Sequence, residues 1–306
     1  MATNFPNGLN VGGGSPVTGS GGLFTTGNVY YVGNAGSNEA DDASHGTATA
    51  PFATLDYAIG RCTANQGDVI YVMPGHAENV GAAAAIACDV AGISIIGLGN
   101  GSNRPTFSWS ATASTWTISA ANVFISNIRC TASIDEVVKL FSVTAAGVTL
   151  DRVDYFETAS CQAIQFLLTT NAADQLTIRN CFHRQANAAG SAQLWIQLVG
   201  CDHTRIEDNI FLLTLQNGAT CAVINGSTAV VECIIARNII EQKGGTTQVS
   251  AILLAANSTG YVADNRVAAA VTTLAGTVAL ANCYGANNLV SHTVNKSGIL
   301  DPVADT

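Results

Sequence analysis

The chain has 306 residues, of which 11% are charged, and a formal net charge of −9. Ordinary soluble domains carry about 25% charged residues. Lysine occurs only as Lys139, Lys243 and Lys296, so there is no basic stripe to meet phosphates, and direct nucleic-acid binding is excluded.

Residues 1–27 form a leader rich in Gly, Ser, Thr and Asn that builds no core by itself. Its spaced apolar residues Phe5, Leu9, Val11, Val17, Leu23 and Phe24 predict an arm that orders on a partner surface. A strand follows in NVYYVGN, then a polar loop with Glu39, Asp41, Asp42 and His45. Four such groups in seven positions invite a divalent cation, but their spacing matches no EF-hand loop, so a solvated turn is expected and no metal is assigned. In PFATLDYAIGRC, Leu55, Ala58, Ile59 and Cys62 lie at helical spacing behind Thr54 as N-cap. A short capping helix over 54–62 is therefore expected to plug an open first coil. VIYVMPG at 69–75 is the first full strand, and ISIIGLGN at 93–100 opens a series.

That series is a repeat. TRIEDNIF at 204–211, CIIARNII at 233–240 and GYVADNRV at 260–267 are its clearest copies, with weaker ones at 122–128, 148–153 and 176–182. One marker slot is filled by Ile128, Val153, Cys181, Asn209, Asn238, Asn265 and Asn288, at intervals between 23 and 29 residues. A period of this size means a solenoid. Its Val, Ile, Leu, Thr and Phe suit pleated strands, and no helical apolar period with caps occurs within it. A second strand recurs between markers, as in KLFSV, AIQFLLT, AQLWIQLV, TCAVING and SAILLAA. The fold expected is all-β: a right-handed single-stranded parallel β-helix over 28–290, with 291–306 as a C-terminal cap or tail. Each coil must turn sharply, and Asn tolerates the left-handed conformation. Asn209, Asn238, Asn265 and Asn288, with Cys181 one coil earlier, are expected to form a structural ladder. The nine cysteines show no CxxC pair and read as buried free thiols, which suits a reducing compartment. No run of about 18 apolar residues predicts a membrane span, and no signal peptide is read at the start.

The segment GTATAPFATLDYAIGRCTANQGDVIYVMPGHAE resembles the entry module of pectin-lyase-like β-helices, through Gly46, Thr47, Pro51, Phe52, Thr54, Leu55, Ala58, Gly67, Asp68, Pro74, Gly75 and Glu78. The start NFPNG, the Gly-rich leader and the closing SGILDPVA more closely resemble β-helix proteins encoded among tailed-phage structural genes. That resemblance implies a virion component, assembled in the host cytoplasm, docking on a capsid or other virion protein through the arm. By analogy with β-helical phage proteins it also implies a homotrimer.

Resemblance to pectate-lyase-like and hydrolase members directs attention to acids on neighbouring coils. The repeat offers two rows that alternate in sign, Asp151–Arg179–Glu207 and Asp208–Arg237–Asp264. A catalytic acid pair needs two carboxylates facing one bond. Interleaved Arg instead predicts a charge ladder, with Asp208, Arg237 and Asp264 the best catalytic candidates if the chain is an enzyme. No Walker loop, dinucleotide fingerprint or GxSxG elbow occurs, and Gly12–Gly14 follow no strand, so no cofactor is expected. Trp109 and Trp116 are the first place to look for a sugar platform. The expectation is a non-enzymatic virion structural protein; the alternative is a tailspike-like β-helix that binds or cleaves a host glycan.

Overall fold

A computed structural model describes residues 25–33, 38–157, 162–185, 194–215, 222–242, 250–269, 278–292 and 299–300. The arm residues Phe5, Leu9, Val11, Val17, Leu23 and Phe24 lie outside them, as do Cys161, Cys221, Lys243 and Lys296. The chain winds as a parallel β-solenoid with three rows of short strands. The first row includes Val69–Val72, Thr177–Arg179, Arg205–Glu207, Cys233–Ala236, Gly260–Ala263 and Tyr284–Ala286, each paired in parallel with the next coil. The second row includes Ala77–Val80, Phe182–Arg184, Ile210–Leu213, Ile239–Gln242, Arg266–Ala269 and Asn288–His292. The long strands Phe124–Ala132 and Thr149–Phe156 run through both rows and join them into one sheet. The third row, from Ile86–Cys88 to Val278–Ala279, forms a separate sheet. At the far end, Ile299–Leu300 pairs antiparallel with Asn288 and Leu289.

The interior is filled by the inward half of each alternating strand. An aromatic stack runs along it through Phe107, Trp116, Phe141 and Phe166, with ring centroids 5.1–5.4 Å apart. Trp109 and Trp116 are fully buried in that core and present no sugar platform. The helix at the entry is shorter than expected, Leu55–Ile59; Thr54 Oγ1 caps it by accepting from the Tyr57 N–H. It buries Leu55, Ala58 and Ile59 and packs against the first strands. The loop acids serve this entry: Asp41 accepts from the Ala53 and Thr54 N–H groups, and Asp42 from Ser44 and His45.

Between the first and second rows a single residue in the left-handed conformation turns the chain. It is not the ladder residue but the one before it: Asn127, Arg152, Asn180, Asp208, Arg237, Asp264 and Asn287, with φ between 49° and 58°. The expectation that the marker Asn itself takes positive φ is corrected accordingly. Turning on the preceding residue throws that side chain outward and aims the next one inward. Asn209, Asn238, Asn265 and Asn288 are fully buried. The Asn209, Asn238 and Asn265 amides each donate to the Asn Oδ1 one coil on (2.9–3.0 Å) and to a backbone carbonyl of the previous coil, and Asn288, the last of the column, donates to the Val262 carbonyl at 2.7 Å. Cys181 begins the column, its N–H bonded to Asn209 Oδ1 at 3.0 Å.

Candidate functional site

The outer face of the first row follows from strand alternation. In CIIARN, GYVADN and CYGANN, Ile235, Val262 and Gly285 lie on the inward parity, so Ile234, Tyr261 and Tyr284 share one outward line and Ala236, Ala263 and Ala286 the next. Tyr261 is 56% exposed and Tyr284 72%, and their rings stack along the solenoid at 5.6 Å, tilted by 33°. The three alanines make a shallow floor beside this shelf. Beyond the floor stand the turn residues Asp208, Arg237, Asp264 and Asn287, whose left-handed backbones point their side chains outward. Gly260 lets the central strand seat there: its φ is 134°, and a Cβ would come within 2.0 Å of the Cys233 carbonyl oxygen.

The polar ridge is only partly a ladder. Arg237 grips Asp208 with two bonds, Nε–Oδ1 at 2.8 Å and Nη2–Oδ2 at 2.9 Å, and reaches Glu207 at 3.5 Å. It does not bond Asp264, which accepts from Asn287 Nδ2 at 2.7 Å instead. The alternating row Asp208–Arg237–Asp264 thus splits into an ion pair and an amide–carboxylate pair. The first row splits likewise. Asp151 accepts from Arg179 (3.2 Å), Arg152 (3.2 Å), Asn180 (2.8 Å) and Ser126 (3.3 Å) and is nearly buried, with no bridge from Arg179 to Glu207.

The Arg237 guanidinium beside Asp208 holds that carboxyl below its usual range, and Asp208 in turn raises Arg237 further. Asp208 is therefore an ionised acceptor at neutral pH, suited to taking hydrogen bonds from hydroxyls and not to donating a proton. Arg237, locked in its protonated form, is an electrostatic group and not a base.

Other titratable groups are structural. His76 bridges the Gly33 carbonyl (3.1 Å) and Glu78 (2.9 Å), and Glu78 accepts the Leu55 N–H at 3.0 Å. His183 is buried with two partners: it accepts from Trp195 Nε1 at 2.9 Å, and its Nε2 donates to the Val153 carbonyl at 3.0 Å. Burial pushes its pKa down to about 3. His45 Nδ1 sits 2.7 Å from Asp42 Oδ1. Cys233 and Cys283 place their sulfurs 3.9 Å apart across Gly260. They stand two rungs apart, about 9.6 Å along the backbone ladder, too far for an unstrained disulfide. No group of three or more His, Cys, Asp or Glu with metal-binding placement occurs among the described residues.

The tyrosine shelf is what sequence reasoning missed. Its signal is parity: Tyr261 lies three residues before the turn residue Asp264, on the same outward line as Tyr284 before Asn287.

No family model matches the chain, and no curated protein matches it. Two solved structures are similar in the course of the chain. One is a rhamnogalacturonan lyase, at 12% identity and TM-score 0.45, covering 86% of this chain and 87% of that one. The other is the GH136 lacto-N-biosidase from Eubacterium ramulus, at 10% identity and TM-score 0.36, covering 87% of this chain and 68% of that one. What this chain has in common with them is the winding of a parallel β-solenoid, and the tailed-phage resemblance gains no support. The expectation of a non-enzymatic chain is corrected here, since both of these structures are enzymes, a lyase and a biosidase. At these similarities the likeness concerns the winding alone, so any activity has to be argued from this chain's own residues.

Proposed function

We propose that the protein is a glycan-active β-helix that receives a sugar chain on the outer face of its first strand row. The observation carrying this reading is the exposed Tyr261–Tyr284 stack beside the polar ridge of Asp208, Arg237, Asp264 and Asn287. Two solvent-facing aromatic rings in register are costly to leave bare, and their faces suit the C–H-bearing faces of pyranose rings. Across the alanine floor, carboxylates accept from sugar hydroxyls while the Arg237 and Asn287 side chains donate. Asp208 and Asp264 stand two rungs apart, about 9.6 Å along the ladder. Carboxyl groups that leave room for a water beside a glycosidic bond stand roughly 6.5–9.5 Å apart, so these two serve as such a pair by leaning toward one another over the Arg237 rung. Asp208 is held ionised by Arg237, as the water-facing partner of such a pair must be.

The test is a panel of bacterial-surface and plant-wall polysaccharides, scored for binding by calorimetry and for shortening by size-exclusion chromatography. Binding is expected for at least one, weakened about tenfold or more by Tyr261→Ala or Tyr284→Ala, in keeping with about 1.4 kcal/mol or more per lost ring contact. Shortening is expected to stop in the doubly substituted Asp208→Ala, Asp264→Ala protein. Failure of every polysaccharide to bind, or binding indifferent to both tyrosines, overturns the reading.

A further inference from the structure

The second strand row carries an exposed apolar stripe that the glycan reading does not use. Phe182, Ile210 and Ile239 follow one another in register, then Arg266, then Leu289. Ile210, Ile239 and Leu289 are 38%, 42% and 44% exposed. At its far end the stripe borders an open groove of 460 Å³, lined by Leu212, Ile239, Arg266, Ala268, Leu289 and Ser291. Contiguous apolar surface of this kind marks a contact site. Arg184 and Arg266 share this face with Glu241, so its charge is mixed and an uncharged occupant fits it.

We propose that the occupant is the chain's own leader, residues 1–24, folded back along this face so that Phe5, Leu9 and Val11 cover Ile239 and Leu289. Three observations point to it. First, residues 1–27 contain no charged side chain, while the rest of the chain carries the whole net charge of −9. The leader is thus an apolar and neutral partner, which suits an apolar face of mixed charge. Second, the leader starts from a fixed place: Thr25 bonds the Gly67 carbonyl, and the Asn28 N–H donates to Asp68, both at the entry end. Third, the leader is long enough. From the entry strand Ala77–Val80 the second row advances six rungs to Ile239, roughly 29 Å, and eight to Leu289, roughly 38 Å. A Gly-rich segment of about 20 residues has a root-mean-square span of about 25 Å. Ile239 lies near that span and Leu289 beyond it but within the chain's extended length, so the tether gives an effective concentration of up to millimolar order. Tethering therefore favours the leader of the same chain over that of a neighbour at micromolar concentration.

The experiment places the photo-reactive residue p-benzoylphenylalanine at Phe5 of the full chain at low micromolar concentration, and maps the cross-links by mass spectrometry. The expected products are cross-links within one chain to the peptides containing Ile239 and Leu289. They are expected to fall roughly tenfold in Ile239→Glu, Leu289→Glu protein, a loss of about 1.4 kcal/mol. Both positions are solvent-facing, so circular dichroism should be unchanged; as a second arm, Leu9→Asp in the leader should lower the yield with the groove intact. Cross-links confined to dimers assign the face to a second copy. Cross-links elsewhere, or none on the solenoid, leave the leader free for another protein. Each of these results overturns the proposal.

Discussion

Arg237 and Asn238 are adjacent in the chain and opposite in kind. Arg237 stands on the outer turn column, about half exposed, paired with Asp208. Asn238 stands on the inner column, fully buried, and every polar atom of its side chain is bonded to the coils on either side. One step of sequence separates a group that water can replace from a group that nothing can replace. The inner column holds the coils in register with neutral groups. The outer column holds charges that are free to meet a ligand.

The inner side breaks hardest. His183 is its most protonation-sensitive member, enclosed by Phe166, Trp195, Tyr155 and Phe211. Its pKa falls from 6.5 to about 3 on burial. The folded state thus binds fewer protons than the unfolded one between these values, so this contribution is complete above pH 6.5 and is lost as pH falls toward 3. The slope is about 1.4 kcal/mol per pH unit, which totals roughly 4–5 kcal/mol. Urea denaturation at stepped pH should show most of this slope between pH 6.5 and 4.5, above the main carboxylate range. A flat profile in that window would contradict a buried neutral imidazole.

Next comes Asn238→Ala. It strips partners from the Asn209 N–H, the Asn209 amide and the Ile206 carbonyl, all inside a dry column. A buried group left unpaired costs about 1–3 kcal/mol. With partial relaxation of the coil, a loss of about 3–4 kcal/mol is expected in the denaturation midpoint. Asn288→Ala strips the matching partners, the Asn265 N–H, the Asn265 amide and the Val262 carbonyl, but on the last coil, which relaxes more freely, so it should cost less. Equal and small losses at both sites would mean that the amides do not act as a ladder.

The two columns were not equally legible. The inner one announced itself because only Asn combines a donor and an acceptor at the reach that the next coil requires, so Asn209, Asn238, Asn265 and Asn288 recur as the same letter. Cys181 fills that slot where only its backbone N–H has to be met. The outer one accepts any side chain that stays wet, and Asn127, Arg152, Asn180, Asp208, Arg237, Asp264 and Asn287 share no letter code, only a conformation. Hence the left-handed residue was assigned one position late. The charge rows looked continuous in sequence because spacing gives the column but not the reach: Arg237 folds back on Asp208 and leaves Asp264 to Asn287. Tyrosine is as common in cores as on surfaces, so Tyr261 and Tyr284 carry no signal until strand parity is fixed.

The smallest expected effect sharpens the comparison most. Arg237→Gly removes the exposed ion pair with Asp208, worth about 0.2–1 kcal/mol and screened by salt. It also relieves a non-glycine residue of its left-handed backbone at φ 57°, about 1 kcal/mol in the opposite direction. The two nearly cancel, so stability should stay within about 0.5 kcal/mol of the parent and turn slightly favourable in high salt. Glycan binding should nonetheless weaken, because the donor beside the alanine floor is gone. A substitution that leaves the fold unchanged and impairs the ligand separates the two columns by function. Should Arg237→Gly instead destabilise the protein by as much as Asn238→Ala, the outer column would be part of the scaffold, and the ridge would lose its claim to be a site.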